Sequence, residues 1–259
     1  MLTAFLLVLL TVFGLAIGSF MTVVAARVPA GESVVRPRSK CPSCGAEIRN
    51  RDNVPVLSWL LLRGRCRDCG VRIPVRYPLL EVSTAAVIVG SFLVYDDLWI
   101  AFGVAAFLAL MPVISVIDLE HRIIPNKIVY AALIAFPIYL LVARLAGAPV
   151  DLTRMAIGFL AYGGALFVIA LVSRGMGMGD VKLAALIGIV LGSLDLGQVA
   201  VAGGAAIVLG GLGAILALLR GVGRKGAMPF GPFLAAGAIA AAFWGPQIAD
   251  WYSRTFLRV

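Results

Sequence analysis

From Leu2 to Ala26 the chain reads LTAFLLVLLTVFGLAIGSFMTVVAA, with no charged side chain before Arg27. An apolar run of that length covers the roughly 20 residues a helix needs to cross a bilayer. Similar blocks recur to the C-terminal end, whereas an amphipathic stripe would leave a polar face. Only 14% of the residues are charged and the mean hydropathy is +1.02, against about 25% charged in a soluble domain. The pattern predicts an all-α polytopic membrane protein. We place about eight transmembrane helices near 2–25, 79–95, 98–117, 128–147, 153–172, 182–194, 197–219 and 232–249.

A cleavable signal peptide would carry a basic n-region and a shorter apolar core. The first run has neither, and its positive flank lies on the C-terminal side. It reads as a retained helix with its N-terminus outside. Eight spans then put 26–78, 118–127, 173–182 and 220–231 in the cytoplasm, and those segments hold 18 of the 22 Lys and Arg residues. Arg144, Arg154, Arg254 and Arg258 remain outside, as the positive-inside rule requires. The net charge of +9 is therefore a topology signal, and nucleic acid is not expected as a partner.

The one sizeable polar segment, 26–78, is too small for an ordinary core without a staple. It holds all four cysteines, as CPSC at 41–44 and CRDC at 66–69. Two C-x2-C pairs, each followed by glycine (Gly45, Gly70), suit a tetrahedral four-thiolate zinc site. A cytoplasmic loop is reducing, which argues against disulfides. Four thiolates leave no open coordination position, so a zinc ion on Cys41, Cys44, Cys66 and Cys69 would be structural.

Two carboxylates stand at expected span ends: Asp118 in VISVIDLEHRIIPN and Asp180 in SRGMGMGDVKL. The topology puts both at the cytoplasmic membrane edge. Two carboxylates sharing one proton can activate water and polarise a scissile carbonyl without a nucleophilic side chain. Glycines at 175, 177 and 179 would let a substrate backbone approach Asp180; they could equally be helix-packing positions. Other chemistries fit less well. A Ser115/Asp118/His121 triad would crowd onto one helix turn. A Ser173/Lys182 dyad would flank the glycine loop, but Lys182 reads more simply as a positive-inside anchor, and Asp118 with Arg122 could be a surface ion pair. Glu120 and Glu81 read as solvated carboxylates or as partners of nearby arginines. GVGRKG at 221–226 matches a nucleotide-binding pattern by letter but follows no strand.

Five ordered stretches resemble the bacterial type IV prepilin peptidases: GSFMTVVAARVP at 18–29, the four-cysteine segment 41–81, IDLEHRIIPN at 117–126, GMGMGDVKL at 175–183 and PFGPFLAAG at 229–237. The resemblance implies that Asp118 and Asp180 form the catalytic pair of a G-x-G-D intramembrane aspartyl protease, with Gly177 and Gly179 as loop glycines. It implies that the substrates are type IV prepilins and type II secretion pseudopilins, cut at the cytoplasmic face of the bacterial inner membrane. It also implies N-methylation of the new N-terminus from S-adenosylmethionine. The expected division is a first helix at 1–25, a zinc loop at 26–78 associated with methyl transfer, and a protease core at 79–259. At Thr22, and at Asn50 and Arg51, the chain departs from residues frequent in that family. The rival expectations are a proton-coupled transporter using the same carboxylates, which usually shows repeated halves, and a non-catalytic scaffold docking a partner on the zinc loop.

Overall fold

A computed structural model describes residues 2–173, 176–220 and 228–257, and Gly175 and the 221–226 stretch lie outside these. The described residues are helical apart from loops and two isolated antiparallel bridges. Seven helices among them are long and apolar enough to cross a membrane. The chain divides into two compact units, 1–90 and 91–259.

In the first unit, α1 (Leu2–Arg27) lies against α3 (Arg76–Val94). The contact is made by small residues. A Cβ on Gly14 would stand 2.7 Å from the Ala85 Cα, and one on Gly18 would stand 2.6 Å from the Glu81 Cα. Both backbones approach that closely only because the side chains are absent, as is common between membrane helices. The polar loop between α1 and α3 carries a short helix, α2 (Leu57–Leu61).

The second unit holds α4 (Leu98–His121), α5 (Asn126–Leu145), α6 (Leu152–Gly158), α7 (Gly164–Ser173), α8 (Met178–Gly192), α9 (Leu196–Leu219) and α10 (Gly231–Tyr252). A π-helical stretch, Phe159–Gly163, joins α6 to α7 so that Leu152–Ser173 crosses as one span. Side-chain caps start three helices: Asp97 accepts from the Ile100 N–H, Asp151 from those of Thr153 and Arg154, and Asp195 from that of Gly197. Each cap satisfies backbone donors that a helix start leaves open.

The expected span at 182–194 is α8, and it differs from the others. It has 15 residues, about 22 Å of rise, short of the roughly 30 Å hydrocarbon core. It is also the most enclosed helix. Leu183, Ala184, Leu186, Ile187 and Leu191 are fully buried. Lipid thickness does not set the length of a helix surrounded by protein. Gly158 of α6 and Gly188 of α8 meet backbone to backbone, and a Cβ on either would collide with the other's carbonyl oxygen.

Candidate active site and metal centre

The loop of the first unit builds two similar knuckles. Around CPSC, the Cys41 N–H donates to the Ala46 carbonyl and the Gly45 N–H to that of Cys41, both at 2.9 Å. Around CRDC, the Cys66 N–H donates to Val71 at 2.8 Å and the Gly70 N–H to Cys66 at 3.0 Å. Gly45 and Gly70 close these turns at φ +74° and +71°, the left-handed region where a side chain would be strained. The bridges Lys40–Glu47 and Arg65–Arg72 flank them.

The four sulfurs lie within 4.8 Å of one another, and those of Cys41 and Cys69 are 3.9 Å apart. A tetrahedron with zinc–sulfur bonds of about 2.3 Å has edges near 3.8 Å, so the donor set fits zinc. The Cys44 backbone N–H, then that of Ser43, draws the Cys41 thiol down to about 7, while burial and the neighbouring thiols push that of Cys69 up to about 12. Arg67 braces the second knuckle by a two-point contact with Asp52, at 2.9 Å from Nε and 2.6 Å from Nη2, and holds that carboxyl below its usual range. Arg49 meets Asp68 at 3.0 Å.

In the second unit, the C-terminal end of α4 and the N-terminal ends of α8 and α10 converge. Asp118 lies in the last turn of α4 and is buried. Its Oδ2 accepts a 2.8 Å hydrogen bond from the Gly231 N–H at the start of α10. A Cβ on Gly231 would stand 2.7 Å from that same oxygen. Asp180 sits in the first turn of α8, and its charge and that of Asp118 act on each other. The fold thus brings the two aspartates together from separate helices, and each carboxylate stands at a helix N-terminus, where negative charge is favoured.

The glycines before Asp180 have different surroundings. Gly177 precedes α8 in an extended conformation, and a Cβ there would lie 3.3 Å from the Asp180 Oδ2. Gly179 packs against the loop after α4: its Cβ would lie 2.9 Å from the Ile124 Cβ. Beyond that loop, at the start of α5, Asn126 accepts at Oδ1 from the Lys182 Nζ at 2.8 Å, and the same Nζ lies 4.6 Å from the centre of the Tyr130 ring.

The remaining candidates do not assemble a nucleophile. Ser115 donates to the Met111 carbonyl of its own helix at 2.8 Å. His121 meets Glu120 at 4.0 Å, and Arg122 ends α4 in a left-handed conformation, its N–H on the Asp118 carbonyl at 2.9 Å. Glu81 is paired with no arginine among the described residues. It is buried and accepts from the Val56 N–H at 2.7 Å. Composition and spacing gave no signal for Gly231 as a neighbour of Asp118, nor for Ile124 and Asn126 as neighbours of Gly179 and Lys182. Only their places in PFGPF and IIPN marked them.

Comparison with known proteins follows the same division. Residues 12–95 match the model of the bacterial peptidase A24 N-terminal domain, and residues 105–249 match the type IV leader peptidase family. A Bacillus subtilis (strain 168) protein named prepilin leader peptidase/N-methyltransferase is 35% identical over 97% of this chain and 100% of its own length. A type 4 prepilin-like proteins leader peptide-processing enzyme of Escherichia coli O78:H11 is 37% identical over 91% of this chain and 93% of its own. A prepilin leader peptidase/N-methyltransferase of Aeromonas hydrophila is 30% identical over 96% and 94%. No solved structure matches the chain. By the family match over more than half its length, and by relatives similar from end to end, this chain belongs to the type IV leader peptidase family.

Proposed function

We propose that this protein removes the leader peptide from type IV prepilins and pseudopilins at the cytoplasmic face of a bacterial inner membrane, using Asp118 and Asp180, and methylates the exposed N-terminal amine. The observation that carries the proteolytic reading is the meeting of two carboxylates from α4 and α8 with the start of α10. With one proton between them, one aspartate draws a proton from water while the other donates to the scissile carbonyl oxygen. The Gly231 N–H fixes Asp118, and the absent side chain at Gly177 leaves room beside the Asp180 carboxylate for an extended peptide.

Methyl transfer is supported by the second activity named for the relatives, and S-adenosylmethionine is the methyl donor that activity implies. Cys41, Cys44, Cys66 and Cys69 would hold zinc, which shapes the 26–78 loop and takes no part in a reaction step. The protease core is then 79–259, preceded by the first helix at 1–25.

The test uses purified protein, a prepilin and S-adenosylmethionine, with mass spectrometry of the product's N-terminus. Asp118→Asn and Asp180→Asn should each insert normally and lower cleavage by at least about a hundredfold, the scale of a lost general acid or base. Either variant cleaving at the wild-type rate overturns the two-aspartate reading.

A further inference from the structure

Glu81 is a carboxylate that the proteolytic chemistry leaves unused. It lies five residues into α3, about 7–8 Å from the helix's loop-side end, and is buried at 8% exposure. Burying a charge without a partner costs several kcal/mol, and ionisable groups inside membrane spans mark function by default. The groups acting on Glu81 are the Val56 N–H and the Ser19 hydroxyl, both neutral.

Two further features lie in the same unit. Val56 is held at φ 60°, ψ −51°, with the Leu57 N–H on the Pro55 carbonyl at 2.5 Å. This tight γ-turn is strained for a β-branched residue, and it aims the Val56 N–H at Glu81. Such strain persists where the surroundings over-determine it, often at ligand sites. One turn along α3, Thr84 is fully buried and its Oγ1 has no hydrogen-bond partner among the described residues. An orphaned buried hydroxyl costs about 1–3 kcal/mol.

A carboxylate oxygen, the Ser19 Oγ and the Thr84 Oγ1 supply three acceptors. An ammonium has three donors and no acceptor, whereas a hard metal cation seeks six or more oxygens. We infer that Glu81, Ser19 and Thr84 form a site for a primary amine, the freed α-amine of the processed substrate. The inference rests on the reading that this chain methylates its product. In that step the bound ammonium first gives a proton to Glu81. The lone pair so freed bonds to the methyl carbon of the sulfonium donor, and the carbon–sulfur bond breaks with its electron pair left on sulfur.

The site is tested by binding a synthetic peptide of a processed pilin's N-terminal stretch to the full-length protein in detergent. The peptide is supplied with a free or an acetylated α-amine. Acetylation should weaken binding to the wild type about tenfold or more, and Glu81→Gln should bind both forms alike. Because a Gln carbonyl still accepts the Val56 N–H, the loop should keep its zinc. Thr84→Val removes an unsatisfied hydroxyl without losing a partner and should reduce the preference for the free amine roughly three- to tenfold. A wild type indifferent to acetylation, or a Glu81→Gln protein that still prefers the free amine, overturns the site. A Thr84→Val protein with the full preference overturns Thr84's place in it. Methylation of the free-amine peptide should fall about a hundredfold in Glu81→Gln. It should regain rate as pH rises toward the α-amine's own range near 7.7–8.0, a change a merely structural role would not produce. If the wild type binds the free amine selectively yet never methylates it, the methyl-transfer reading fails while the amine site stands.

Discussion

Gly231 and Asp118 are 113 positions apart in sequence, yet one hydrogen bond joins them. Glycine is needed at 231 because a Cβ would press to 2.7 Å from the Asp118 Oδ2. Gly231→Ala should therefore push the carboxylate from its place. We expect cleavage to fall about tenfold or more, measured as prepilin turnover, with thermal stability in detergent nearly unchanged. Wild-type turnover by this variant would mean the Gly231 contact does not hold Asp118 for catalysis. The proposed aspartate pair makes a pH prediction: if Asp118 and Asp180 share one proton, activity should be bell-shaped, lost when both are protonated and again when both are ionised. Because the two limbs belong to the pair, Asp118→Asn and Asp180→Asn should abolish both together.

Among the elements, α8 is the most constrained. Its Gly188 faces Gly158 with no room for a methyl group on either side. Gly188→Ala should cost about 1–3 kcal/mol, as overpacking does, seen as a lowered unfolding midpoint. An unchanged midpoint would mean α6 and α8 can separate freely. The four-cysteine loop depends on a different bond. Its knuckles bury little apart from Cys41, so a zinc ion held by the four thiolates would supply folding energy. Cys41→Ser, or a strong chelator, should release zinc and make residues 40–72 sensitive to protease, read by metal analysis and limited digestion. A zinc-free wild type with a protease-resistant loop would exclude the metal.

For the whole molecule, the distribution of Lys and Arg predicts an orientation. Segments holding 18 of the 22 are expected inside. A membrane-impermeant thiol reagent should then label Ala146→Cys, which follows α5, in intact cells. It should reach Ser33→Cys, in the first loop, only after permeabilisation. The reverse pattern would invert the protein and place the aspartates outside.

Much of this molecule is legible in its amino-acid sequence. Apolar runs mark the spans to within a few residues, because the bilayer imposes a length on any helix facing lipid. The paired C-x2-C-G motifs mark the four-cysteine loop, since local turn chemistry carries the information. Asp118 and Asp180 stand out as charges at span ends. Tertiary structure alone decided the rest. It showed α8 enclosed by other helices, Gly179 packed on Ile124, and Gly231 bonded to Asp118. It also showed Glu81, read from sequence as a solvated or arginine-paired group, sealed against Val56. The physical reason is the range of the interactions. Periodicity and turn chemistry act over a few residues, whereas these contacts join residues distant in sequence and depend on how helices pack side by side.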